Sequence, residues 1–121
     1  MNRLSATGVA GAILVALFLL SSPVQAAQLL MFHEEGCPWC QAWEHQIGTI
    51  YDKTDEAKVL PLTRLDVHED LPADLELKSP VNFTPTFVVI QDNKEVGRIP
   101  GYPGDEFFWF LLAELIEKIP E

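Results

Sequence analysis

Only two of the 121 residues are cysteine, Cys37 and Cys40, and they bracket Pro38 and Trp39. A C-x-x-C pair with no companion pair reads first as a redox dithiol, in which one thiolate attacks a disulfide and the second thiol releases the mixed disulfide that results. Two other uses compete. A structural zinc site draws its second pair of ligands from regular spacing, and His33, His45 and His68 offer none. A static disulfide across so short a loop removes little chain entropy. The spacing therefore favours redox chemistry.

Elements on either side must hold the pair. Gln28 to His33 is a continuous apolar run of strand length, the pattern of a strand buried on both faces. Glu34, Glu35 and Gly36 then turn the chain. From Cys37 the period changes, with Trp39, Trp43, Ile47 and Ile50 at helical spacing and Pro38 where the first helical turn tolerates it. The pair thus lies on a strand-to-helix junction, and Gly48 marks a bend or a close approach in that helix. Residues 52–58 read as the helix end and a loop. A second strand is expected over 60–67, with Leu65 and Val67 on one face and Arg64 and Asp66 on the other, parallel to the first through the intervening helix. The acidic stretch 68–82 has room for a short helix over 72–78. A hairpin follows, 86–90 and 94–99 around Asp92 and Asn93. Asp105 is expected to cap a last helix over 105–119, closed by Pro120. This order predicts an α/β fold, β-α-β-(α)-β-β-α, with a mixed four-stranded sheet flanked by helices.

Residues 1–26 do not read as part of that domain. Arg3, an apolar run from Val9 to Leu20, Pro23 and a terminal Ala26 have the layout of a signal peptide. The run is short of the roughly 20 apolar residues that span a bilayer, so cleavage is expected to leave 27–121 as one small domain. The alternative is an uncleaved anchor, the one route by which this chain would touch a membrane. No cysteine follows the run closely, as a lipid anchor would need. Export is to a compartment that permits disulfides, the periplasm. The formal net charge is −10, and Arg3 would leave with the signal. Such a surface repels phosphate backbones and disfavours nucleic acid as a partner; any steering it does favours a basic patch on another protein.

The strand and turn into Cys37-Pro38-Trp39-Cys40, with Thr84-Pro85 leading into strand, hairpin, glycine and final helix, resemble the thioredoxin superfamily over nearly all of 28–119. The chain lacks the extra N-terminal strand and helix of full thioredoxin, so the minimal thioredoxin fold is implied for 27–121. Among exported members, Glu34-Glu35-Gly36-Cys37-Pro38-Trp39-Cys40 is most similar to the SoxS-type proteins of bacterial sulfur-oxidation systems. The resemblance implies that Cys37 is an exposed nucleophile and Cys40 the resolving thiol. It also implies that Pro85 is a cis-proline facing them and that Thr84 offers backbone hydrogen bonds to substrate. No metal or cofactor is implied. Two positions depart from the family pattern. Met31 stands where thioredoxin has a buried aspartate, and Arg64 where it has that aspartate's lysine partner, so Arg64 is expected to serve another carboxylate. Glu34, Glu35, Glu44 or a water is left to take the proton of Cys40.

A helix start favours a thiolate at Cys37 by about 0.3–1 kcal/mol. Glu34 and Glu35, each at about 8 Å in water, oppose it by about 0.5 kcal/mol apiece. Nothing cationic lies between the cysteines. The Cys37 thiol is therefore expected only modestly below a free thiol, with a reducing or intermediate potential; alkylation rates giving a pKa near 4 would overturn this. Trp39 is either the first member of the helix stripe or an exposed lip that packs on a partner. The last helix carries a stripe of Phe108, Leu112, Leu115 and Ile119, and also Phe107, Trp109, Phe110, Leu111 and Ile116 around it. Such a helix is either core with scattered exposure or a dimer or partner surface.

The expected activity is thiol-disulfide exchange, mainly reduction of an oxidised cysteine or disulfide on a partner protein, with an upstream thiol donor resetting the pair. The resemblance makes a sulfur-oxidation carrier protein the candidate partner. Alternatives are a glutathione-dependent glutaredoxin-like enzyme and a non-catalytic adaptor.

Overall fold

Alternation along the first strand, β1 (Gln28–His33), sends Leu29 and Met31 to one side and Leu30 and Phe32 to the other, and all four are buried. Burial on both faces is what a central strand requires. β1 pairs in parallel with β2 (Leu62–Asp66) and antiparallel with β3 (Thr86–Gln91), and β3 pairs antiparallel with β4 (Lys94–Pro100). The sheet order is β2-β1-β3-β4, as the sequence predicts for a mixed four-stranded sheet. This computed structural model describes residues 27–121, with Gly8, Gly11 and Ala16 before them. The expected signal peptide otherwise lies outside the described residues. Among the described residues no helix is long and apolar enough to cross a membrane.

One face of the sheet is covered by helices. Leu29, Met31, Phe87, Val89 and Ile99 pack against Cys40, Trp43 and Ile47 from the helical stretch after the dithiol. The same cluster takes Phe108, Leu112 and Leu115 from α3 (Asp105–Glu117). The stripe expected of α3 is the one that is buried, with Ile119 partly so, while Phe107 and Phe110 are exposed. A side chain at Gly97 would meet Leu115 Cδ2 at 2.6 Å, so β4 and α3 approach closely there. Asp105 is not the cap of α3: Gly104 is, at φ 98°, and it has no side chain with which to cap. Asp105 and Glu106 occupy the first turn instead, where their charge complements the helix dipole.

The helix after Cys37 is also less regular than its spacing suggests. α1 (Pro38–Trp43) passes into one wider π turn, Glu44–Gly48, and then through the 3₁₀ turn Tyr51–Lys53 to a short α2 (Asp55–Val59) in the stretch expected to be loop. Trp43 and Ile47 are buried, but Trp39 and Ile50 are not. The wider turn carries one extra residue and rotates Ile50 off the core side. Tyr51 takes the vacated place, fully buried, with its hydroxyl donating to Leu60 O at 2.7 Å.

No helix forms over 72–78. Leu75 N–H donates to Pro72 O in a single turn, and the chain then lies along β4: Glu76 N–H donates to Asn93 O and Glu95 N–H to Glu76 O. Leu75, Leu77 and Val81 pack on the second face of the sheet with Leu30, Phe32, Val88 and Ile90. Their odd-numbered spacing has the period of an extended strand, and it outweighs helix propensity here.

Glu95 and Arg98 fasten this strap. Glu95, its side chain 2% exposed, accepts from Arg98 Nε at 2.9 Å, Arg98 Nη2 at 2.6 Å and Lys78 N–H at 3.0 Å. Arg98 also donates to Ser79 O and Pro80 O. Burial pushes the Glu95 carboxyl up, but the bonds from Arg98 and Lys78 outweigh it and hold the group below its ordinary range. A depressed pKa contributes stability above the unfolded value, about 4.3, that is lost as pH falls through the folded one. Arg98→Met strands the carboxylate, and is expected to lower the urea unfolding free energy by about 3 kcal/mol at pH 7. That deficit should narrow below pH 4, where protonation neutralises the stranded group and the parent loses its advantage. An equal deficit at both pH values would remove the pair from the stability account.

Candidate active site

β1 ends at His33, and Glu34, Glu35 and Gly36 reverse the chain, with Gly36 at φ 77°. Cys37 then serves as the N-cap of α1, in extended conformation, with its Sγ accepting the N–H of Cys40 at 3.1 Å. Pro38 occupies the first turn, where no N–H is missed. Cys37 and Cys40 are joined in a disulfide. The cap geometry gives a sulfur at position 37 a donor aimed at it, so a thiolate formed there by reduction has a charge-assisted hydrogen bond available.

Both cysteines are only 5% exposed. The expected contrast between an exposed Cys37 and an inner Cys40 is therefore not one of accessibility in the oxidised state. Both belong to the helix-side core, in the same apolar cluster as Met31 and Trp43. Trp39, by contrast, stands 64% exposed beside them, outside the helix stripe.

The β3 side closes the site. The antiparallel register pairs Phe32 with Thr86, so its continuation sets Pro85 and Thr84 beside His33 and Glu34. The Thr84–Pro85 peptide is cis and Pro85 is buried. Glu34 ties this loop to the turn before the dithiol. Its Oε1 accepts from Thr84 Oγ1 at 2.9 Å, and its Oε2 lies 3.0 Å from His68 Nε2. Gly101 N–H donates to Pro85 O at 2.7 Å from the other side. Phe83, two residues before the proline, is 67% exposed. Neither His68 as Glu34's partner nor Phe83 as exposed apolar surface carries a local signal in the sequence; the antiparallel offset that joins Glu34 to Thr84 arises only once the strands are in register.

Beside Cys40 the surface opens into a cavity of about 590 Å³, lined among others by Met31, His33, Glu35, Glu44 and His45. Glu44 is fixed within this wall by Arg64, whose Nε and Nη2 reach its two carboxylate oxygens at 2.6 and 2.9 Å. The bond to Glu44 raises the Arg64 pKa further, so the guanidinium stays charged. Arg64 thus serves another carboxylate, as the departure from the family pattern led one to expect. Gly48 makes room for the pair: a side chain there would collide with Glu44 Oε2. Among the described residues no three His, Cys, Asp or Glu side chains converge as a metal site would need.

Residues 23–116 match the family model described as a thioredoxin-like domain. The periplasmic thioredoxin SoxS from Paracoccus pantotrophus, in its reduced form, is similar at 47% identity and a TM-score of 0.74, over 76% of this chain and 97% of that one. A thioredoxin-fold protein from Helicobacter pylori is similar in fold, at 18% identity and a TM-score of 0.61 over 79% of this chain and 72% of that one. So is Fasciola hepatica thioredoxin, at 22% identity and 0.55 over 74% and 81%. None of the curated proteins matches this chain.

Proposed function

The chain belongs to the thioredoxin-like family and is a thiol-disulfide oxidoreductase, and from that premise we propose that it is exported to the periplasm and there reduces a disulfide or oxidised cysteine on a partner protein. Cys37 attacks the partner's sulfur and Cys40 resolves the mixed disulfide. An upstream thiol donor then resets the pair. The observation that carries this reading is the cap of α1: the Cys37 sulfur receives the Cys40 N–H at 3.1 Å, which prepares it to bear negative charge. The signal-like residues 1–26 and the 47% identity to a periplasmic thioredoxin support export.

Reduction, not oxidation, is favoured by what lies between the cysteines. Pro38 and Trp39 add no positive charge, so the thiolate is not stabilised strongly enough to make the disulfide a strong oxidant. Trp39 and Phe83 offer exposed aromatic surface on which a partner can pack, and Thr84 and Pro85 a backbone edge for its extended chain. The SoxS-type resemblance makes a carrier protein of a sulfur-oxidation system the candidate partner. Phe107 and Phe110 leave apolar surface on α3 for a second contact, with a partner or another copy.

Trapping tests the reading. A Cys40→Ser chain, expressed with its leader, should accumulate in the periplasm as a mixed disulfide through Cys37, and mass spectrometry of the adduct identifies the partner. Adding Trp39→Ala should lower the yield several-fold without changing the unfolding temperature. Recovery of the Cys40→Ser chain as free thiol alone, in cells where the parent cycles between redox states, counts against protein reduction.

A further inference from the structure

Resolution of a mixed disulfide needs Cys40 as a thiolate, and Cys40 lies in an apolar cluster that favours the protonated thiol. Something must take the proton. Met31, on the strand beneath, is fully buried and has no group that can. We infer that Glu44, one turn beyond Cys40 and held by Arg64, accepts that proton through water in the cavity they share. The inference rests on the dithiol exchange proposed above.

Three observations single out Glu44 from the other carboxylates. It stands four positions after Cys40, the spacing that puts two helix side chains on one face about 5–6 Å apart at Cβ, and both residues line the 590 Å³ cavity. Its N–H donates to Cys40 O, so its backbone is fixed to the cysteine it would serve. Arg64, the register partner of Met31 on the neighbouring strand, grips both carboxylate oxygens, and Gly48 leaves the space in which they sit. Glu34 and Glu35 also line the cavity, but Glu34 is already committed to Thr84 and His68, and Glu35 stands exposed on the turn before Cys37. The other titratable groups facing the cavity are His33 from β1 and His45 from the π turn, while Asp52 lies near Arg64.

In this step the Cys40 thiol proton passes through water to Glu44, and the Cys40 thiolate attacks Cys37 Sγ. The Cys37–partner S–S bond breaks, and its electron pair leaves on the partner's sulfur, which is protonated from solvent. Two electrons have moved from the dithiol to the partner, and Glu44 returns its proton to bulk water. Arg64 and Gly48 act as positioning residues for the carboxylate.

The test uses the reduced protein with dithionitrobenzoate, which releases one coloured thiolate when Cys37 attacks and a second when Cys40 resolves. In the parent, resolution should vary little between pH 5.5 and 8, because the proton moves within the protein from Cys40 to Glu44 and no hydroxide is consumed. In Glu44→Gln it should depend on free hydroxide, rising tenfold per pH unit, about 100-fold slower than the parent at pH 6 and equal to it near pH 8, just below the ordinary thiol pKa of about 8.5. Glu44→Asp should recover part of the loss. Gly48→Ala, whose methyl displaces the carboxylate and also touches the buried Trp43 ring, should slow resolution at pH 6 when compared with the parent at a temperature where both are fully folded. Parallel profiles for the parent, Glu44→Gln and Gly48→Ala overturn the inference, as does a parent profile that falls away below pH 6.5, the mark of His33 or His45 as the acceptor. If the reduced parent releases no second thiolate at any pH, the dithiol reading itself has failed; a normal second release that Glu44→Gln leaves unaltered sinks only the role of Glu44.

Discussion

Cys37→Ser is expected to abolish exchange with protein disulfides, by about a thousandfold or more, because a serine hydroxyl supplies no thiolate at neutral pH. The fold should tolerate the change. Serine is among the best N-cap residues, so the bond that Cys37 Sγ makes to Cys40 N–H has a natural replacement in the introduced hydroxyl oxygen. Loss of the cross-link removes the entropy of a very small loop, about 2 kcal/mol at most in the chain-entropy model. Measured against the reduced parent, even that difference disappears. Insulin-reduction assays and thermal unfolding of both proteins under reducing conditions separate the two effects. The partner variant distinguishes roles that accessibility does not, since both cysteines are equally buried in the disulfide. Cys40→Ser should keep the first attack and stall at the mixed disulfide. If Cys40→Ser instead lost the first attack while Cys37→Ser retained it, nucleophile and resolving thiol would exchange places.

The parts of this site that were legible in the sequence are those whose signal is local. A C-x-x-C pair, a proline at the helix start and a doubly apolar strand before them are short-range patterns, and the structure joins Cys37 to Cys40 at a strand-to-helix junction. The hairpin was equally readable, because Asp92 and Asn93 are residues that tolerate the positive φ angles of 51° and 63° that the turn demands. What escaped depended on long-range pairing. Residues 72–78 hold good helix formers, yet their backbone bonds go to Asn93 and Glu95, far along the chain. Glu34 looked like a charge opposing the thiolate, and no periodicity could have linked it to Thr84, 50 residues away. The π turn at Glu44–Gly48 was foreshadowed only by Gly48, a poor helix former whose use becomes clear once the Glu44 carboxylate is seen beside it.

Phe108→Ala is expected to be the most damaging single truncation outside the dithiol, costing about 3–5 kcal/mol, a large share of the roughly 5–15 kcal/mol by which domains are stable. Phe108 is fully buried where three elements meet. Its ring stands 4.9 Å from Phe87 of β3, 5.7 Å from Trp43 of α1 and 6.4 Å from Tyr102, each in an edge-to-face arrangement. Removing it opens a cavity between the sheet and two helices, and the neighbouring rings cannot collapse into it without surrendering contacts of their own. Trp43 carries the consequence to the site: it and Phe87 are centred 5.0 Å apart, and Trp43 lies on the helix that presents Cys40. The variant should therefore unfold at markedly lower urea concentration with little change in slope, and alkylation of Cys40 in the reduced protein should accelerate in proportion to the unfolded fraction. Exposed Phe107, adjacent in sequence, supplies the control, since Phe107→Ala removes a ring that the core does not use and should change stability by no more than about 0.5 kcal/mol. Equal losses from the two substitutions would mean that the exposed side of α3 is packed against something in solution, and would turn that face from surface into interface.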